Sequence, residues 1–181
     1  MKATRLKHLP NILTFCNMVI GIVVVCSMKH SNTIISIKTS CYLIYIAVVF
    51  DFLDGCLARF LNASSEMGKQ LDSFADFATF GIAPIAIFIA QNTHLPWYLM
   101  LILALYPIAG VFRLARYNLQ DYSHYIIGLP ITVAGFILTT VTIINSYIST
   151  DSTVIYTTIY LILIVILSLM MVSCIRVKRI G

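Results

Sequence analysis

The residues best suited to chemistry are four aspartates gathered within positions 51 to 76. Asp51 and Asp54 are three residues apart and Asp72 and Asp76 are four apart, so each pair shares one face of a helix. Gly55 and Ala58 continue the first face. Gly68, Asp72, Asp76 and Thr79 follow one another at spacings of four, four and three and make a second stripe. If the stripes face each other, four carboxylates converge with no His or Cys at ligand spacing. Such a hard oxygen set suits Mg²⁺, Mn²⁺ or Ca²⁺ rather than zinc. An ion held by few protein ligands keeps positions for water and phosphate oxygens, and a pair of ions can clamp both oxygens of an in-line phosphoryl displacement. A lone Asp near a membrane surface is commonly a helix cap or a partner for Lys. That reading does not account for four at helical spacing with small residues on the same faces.

The elements that must carry these acids are apolar. Of 181 residues, 60% are hydrophobic and 10% charged, and the mean hydropathy is +0.94, the profile of an integral membrane protein. Apolar runs cover Pro10 to Met28, Ser40 to Leu61, Leu71 to Ala90, Trp97 to Ala115, Ile126 to Tyr147 and Val154 to Cys174. Each is close to the roughly 20 residues a bilayer requires. The expected fold is therefore an all-α bundle of about six transmembrane helices, a single membrane domain over residues 1–181 with no room for a separate soluble one. The first run follows Lys2, Arg5 and Lys7, as a secretory leader would, but it is longer than a typical leader core and lacks a small-x-small cleavage site. It reads as the first span. In lipid, one carboxylate at helix centre costs on the order of 3 kcal/mol, so a cluster of four calls for cations.

Basic residues set the expected orientation. With the N-terminus inside, Lys2, Arg5, Lys7, Arg59, Lys69, Arg113, Arg116, Arg176, Lys178 and Arg179 fall on or near the cytoplasmic side, leaving Lys29 and Lys38 outside. That bias predicts an N-in, C-in protein whose acids lie at the cytoplasmic end. Trp97, Tyr98, Tyr147 and Tyr156 are then expected near the outer interface. The net charge of +5 points to anionic lipid headgroups, and no basic patch interleaved with aromatics argues for nucleic acid. Cys16, Cys26, Cys41, Cys56 and Cys174 read as small buried hydrophobes, and His8, His30, His94 and His124 carry no assigned role.

The pattern Asp51-x-x-Asp54-Gly55-x-x-Ala58-Arg59 followed by Gly68-x-x-x-Asp72-x-x-x-Asp76 resembles the complete signature of the CDP-alcohol phosphatidyltransferases. Flanking segments are similar to those of the small membrane-type phosphatidylserine synthases of bacteria and archaea. They are Leu9-Pro10-Asn11-Ile12-Leu13-Thr14 with Asn17, Leu71 to Asp76 running into Thr79-Phe80-Gly81 and Ala83-Pro84, Phe112 to Asn118, and Gly128-Leu129-Pro130. The resemblance implies a bacterial or archaeal cytoplasmic-membrane enzyme, usually a homodimer, that transfers a phosphatidyl group from CDP-diacylglycerol to an alcohol and releases CMP. It implies two Mg²⁺ or Mn²⁺ ions on Asp51, Asp54, Asp72 and Asp76, with Asp76 also the general base. On this reading Gly55, Ala58, Arg59, Gly68 and Thr79 contact the nucleotide-bearing lipid, joined by Asn11 and Thr14, for which helix capping is an equal alternative. L-serine is zwitterionic, and Arg113, Arg116 and Asn118 are the expected partners of its carboxylate and amine. Arg113 and Arg116 serve equally well as lipid-phosphate or positive-inside residues. A phosphatidylglycerophosphate or phosphatidylinositol-phosphate synthase shares the signature, and an ion-coupled transporter is the alternative from another class. A transporter is expected to show broken helices or inverted repeats, which this sequence does not.

Overall fold

The computed structural model describes residues 9–28, 36–61, 63, 65–92, 95–119, 125–148, 153–174 and 176–178. Six helices long and apolar enough to cross a membrane account for most of them: α1 (Leu9–Ser27), α2 (Ile37–Phe60), α3 (Glu66–Gln91), α4 (Trp97–Leu119), α5 (Ile131–Ile148) and α6 (Thr153–Val172). This is the helical membrane bundle that the apolar runs predict, with one short strand pair added to it. Helix starts follow local chemistry. Ser36 caps α2 by accepting from the Thr39 N–H at 3.2 Å, and Ser65 caps α3 by accepting from the Gly68 N–H at 3.0 Å. Large apolar side chains such as Ile12, Phe52, Leu101 and Leu169 point outward, as lipid-facing residues do, while Ile44, Phe80, Phe88, Tyr106, Leu138, Tyr160 and Ile164 close the interior.

Helix α3 is not uniform. It is α-helical over Glu66–Asp76, widens into a π-helix over Phe77–Ile82, and resumes as α over Ala83–Gln91. Two glycines on neighbouring helices admit the widened turn. A Cβ on Gly21 of α1 would lie 2.8 Å from Thr79 Cα, and one on Gly135 of α5 would lie 2.9 Å from the Phe80 carbonyl oxygen. Backbone therefore packs on backbone on both sides of α3, the close approach that small residues permit in membranes.

Several expectations are corrected. The third span starts at Glu66, not Leu71, because Ser65 caps it there. The fifth starts at Ile131: Tyr125–Ile127 instead forms a short strand, β1, antiparallel to β2 (Arg176–Lys178). Gly128 follows at φ +72, a left-handed turn suited to glycine, and a Cβ there would meet the Met171 carbonyl at 2.5 Å. The Leu129 N–H donates to the Met170 carbonyl at 3.2 Å, and Pro130 precedes α5. Only Cys41 among the cysteines is buried; Cys16, Cys26 and Cys174 are exposed. Tyr156, the fourth residue of α6, is buried within the bundle and donates to Gln91 Oε1 at 2.8 Å. The four histidines and Lys29 lie outside the described residues or within segments with no described side chain.

Candidate active site

Helices α2 and α3 meet α1 at the end where α2 finishes and α3 begins, and the aspartates gather there. Asp51, Asp72 and Asp76 each offer a carboxylate oxygen within 4.8 Å of the others. Asp51 lies beside Asp76 and beside Thr132 of α5. Asp76 is the most enclosed of the three, 7% exposed, and Asp51 and Asp72 are partly buried. Asp54, 5% exposed, stands apart from that trio: its Oδ2 accepts from the Thr14 hydroxyl at 2.8 Å. The four carboxylates thus share one region, but as a group of three with the fourth turned toward α1.

The group lacks the donors that carboxylates need. Asp72 Oδ1 and Asp76 Oδ1 are buried without a hydrogen-bond partner, and so is Nε of Arg113. Arg113, from α4, is 8% exposed and is the cation whose field reaches Asp51, Asp72 and Asp76. One guanidinium cannot balance three clustered carboxylates, and buried orphan oxygens in native proteins usually mark a water or an ion. An all-oxygen donor set with two orphaned oxygens fits a divalent cation of the Mg²⁺ or Mn²⁺ kind. Asp51, Asp72 and Asp76 would hold it, with Asp54 at the edge.

Next to the carboxylates a cleft of about 130 Å³ is lined by Pro10, Asn11, Thr14, Asp54, Gly55, Ala58, Ala63, Ser65, Gly68, Lys69 and Asp72. It brings together Asn11, Thr14, Gly55, Ala58 and Gly68 from the expected nucleotide-lipid set. A Cβ on Gly55 would meet nothing within 4 Å, so no packing within the fold demands glycine there; the space is open toward the cleft. Asp54 and Asp72 form the wall shared by cleft and carboxylate cluster.

Other expected contacts are not assembled there. Thr79 is fully buried and donates its hydroxyl to the Asn17 carbonyl at 2.9 Å, because the π-turn after Asp76 swings it off the Asp72–Asp76 stripe toward α1. Arg59 lies outside the cleft wall, its Nε donating to the Gly55 carbonyl at 3.1 Å. Arg116 donates to the carbonyls of Val172 at 3.1 Å, Met171 at 3.3 Å and Ser173 at 3.0 Å, closing the C-terminus of α6. Asn118 Nδ2 donates to Ser73 Oγ at 2.9 Å and ties α4 to α3. Of the three residues expected to meet serine, only Arg113 faces the carboxylates. Lys69 and Ser65 in the cleft wall and Thr132 beside Asp51 had no expected role. Lys69 directly follows Gly68, a signal available in the sequence; Thr132 carries none, since only packing of α5 brings it near.

Comparison with known proteins follows the same direction. A family model described as CDP-alcohol phosphatidyltransferase matches residues 7–177. The chain is similar to a Bacillus subtilis protein named CDP-diacylglycerol–serine O-phosphatidyltransferase, 38% identical over 136 residues, which cover 74% of this chain and 74% of the relative. A Helicobacter pylori protein of the same name is 29% identical over 97% of this chain and 74% of its own length. A Mycobacterium leprae protein, again so named, is 36% identical over 71% of this chain, and the match spans less than half, 44%, of that longer relative.

Proposed function

This chain belongs to the CDP-alcohol phosphatidyltransferase family, and we propose that it transfers the phosphatidyl group of CDP-diacylglycerol to the hydroxyl of L-serine, releasing CMP. The observation that carries the reading is the shared wall of Asp54 and Asp72, which joins a small-residue cleft to a cluster of carboxylates poor in donors. The names of the relatives supply the acceptor. Residues 1–181 act as one catalytic membrane domain in this proposal, with the site at the cytoplasmic end of a homodimer.

Each part has a task. Asp51, Asp72 and Asp76, with Asp54 beside them, would hold divalent cations, which when bound would supply positive charge to offset the diphosphate. Gly55, Ala58 and Gly68 keep the cleft floor low so that the nucleotide lies against the helices. Asn11 offers an amide to cytidine or phosphate. Thr14 holds Asp54 in one orientation. Asp76 accepts the serine hydroxyl proton, a role assigned from the family resemblance; a neutral hydroxyl is a weak nucleophile without a positioned base. A bond forms between the serine oxygen and the phosphatidyl phosphorus, and the bond from that phosphorus to CMP breaks. Arg113 receives the serine carboxylate, its unpartnered Nε giving a donor for the purpose.

The test is CMP release by purified protein from CDP-diacylglycerol with Mn²⁺ or Mg²⁺, offering L-serine, glycerol 3-phosphate or inositol phosphate in turn. Turnover with serine alone is expected. Turnover only with a phosphorylated acceptor would keep the family chemistry and overturn the acceptor, and silence with all three from folded protein would reopen ion transport.

A further inference from the structure

The segment Thr79-Phe80-Gly81-Ile82-Ala83-Pro84 contributes nothing to the cleft, yet it begins three residues after Asp76 and forms most of the π-turn. Its backbone explains why. The Ala83 N–H bonds to the Ala78 carbonyl five residues back, the π spacing. In an α ladder the N–H of residue 84 would bond to the Phe80 carbonyl, but residue 84 is proline and has none. The Phe80 carbonyl is instead met at 2.9 Å by the hydroxyl of Tyr106, a fully buried residue of α4. Phe80 is itself fully buried, and Gly135 of α5 packs closely against its carbonyl. The Tyr106 hydroxyl therefore replaces a backbone donor that proline removed.

We infer that Tyr106 is a positioning residue for the metal centre: by holding the Phe80 carbonyl it fixes the π-turn, and through that turn the direction of Asp76 four residues earlier. Tyr106 and Arg113 are seven residues apart, two turns along one face of α4. The same bond therefore sets the height of Arg113 against the aspartates of α3. Loss of the hydroxyl leaves a buried carbonyl unserved, and the turn relaxes toward whatever spacing finds it another donor.

The inference rests on the metal reading above, and a cycle of variants separates the two. Mn²⁺ affinity, followed by the paramagnetic resonance of free Mn²⁺, and thermal unfolding are measured for the wild type, Y106F, P84A and Y106F/P84A in detergent. Y106F keeps the ring and removes only the hydroxyl; its Mn²⁺ Kd should rise about five-fold, the scale of one hydrogen bond. P84A returns an N–H to residue 84, so in the double variant the effect of Y106F on both Kd and Tm should shrink to less than about half its logarithmic size, a coupling that independent sites lack. Wild-type Mn²⁺ affinity in Y106F, or the same loss whether residue 84 is Pro or Ala, would overturn the role. If Y106F does not survive extraction, recovery of folded protein by P84A supports the inference and failure to recover overturns it. A wild type that binds no Mn²⁺ would overturn the metal centre itself, and the Tm cycle would still judge the Tyr106 bond.

Discussion

At the scale of single residues, the two arginines of α4 separate by what each already touches. Arg116 is committed to three carbonyls at the end of α6, whereas Arg113 is buried beside the aspartates with Nε unpartnered. Arg116→Ala should therefore cost about 1 to 3 kcal/mol of stability, the range for a hydrogen-bonded charge, with the KM for serine unchanged in protein that remains folded. Arg113→Lys keeps the charge but loses the planar fork, and should raise the serine KM at least ten-fold with little change in Tm. Steady-state kinetics alongside thermal unfolding decide this; a serine KM that responds to Arg116 and ignores Arg113 would exchange the roles. Asp72 gives the companion prediction. Asp72→Asn removes a carboxylate from the trio and should abolish Mn²⁺ binding as well as CMP release. Normal metal affinity with no turnover would move Asp72 from ligand to another duty.

At the scale of helices, glycine has two different uses here, and a pair of substitutions distinguishes them. A Cβ on Gly135 would sit 2.8 Å from Phe80 Cβ and 2.9 Å from its carbonyl oxygen, against backbone that cannot yield without moving α3. Gly135→Ala should destabilise by about 1 to 3 kcal/mol, as overpacking does. Gly55→Ala meets no atom within 4 Å and should leave stability within about 0.5 kcal/mol of wild type while lowering CMP release, because the methyl enters space intended for the nucleotide. Thermal unfolding and turnover of both variants check the contrast. The same scale explains what could be read beforehand. Spans and the Asp51–Asp54 and Asp72–Asp76 faces depend on hydrophobic length and helical period, which are local. The π-turn depends on a proline, two glycines on other helices and a tyrosine 26 positions from its acceptor, so the straight stripe drawn through Thr79 failed one residue past Asp76. The partners of Arg116 are hidden for a similar reason: they are main-chain atoms 55 to 57 positions away, which no residue pattern announces.

At the scale of the whole molecule, orientation decides whether the site can meet its substrates. The cleft sits where α1 begins, α2 ends and α3 begins, so Asn11, Ala58 and Gly68 mark one membrane face. Arg59, Lys69, Arg113, Arg116, Arg176 and Lys178 belong to that same end of the chain's six passes, and Lys38 belongs to the other. The insertion machinery retains basic loops in the cytoplasm, so the cleft should open to the compartment that holds a soluble amino acid and collects CMP. Cys174, exposed just beyond α6, is a native reporter for the first face, and Lys38→Cys at the start of α2 supplies one for the second. With Cys16, Cys26 and Cys56 changed to Ser, which leaves only the buried Cys41 besides the reporters, a membrane-impermeant maleimide should label Cys174 only after permeabilisation, with Cys174→Ser as the blank, and should label K38C in intact cells. The reverse pattern would put the aspartates on the outer face, where neither a cytosolic acceptor nor a cytosolic nucleotide product fits, and the proposed reaction would lose its setting even with the metal cluster intact.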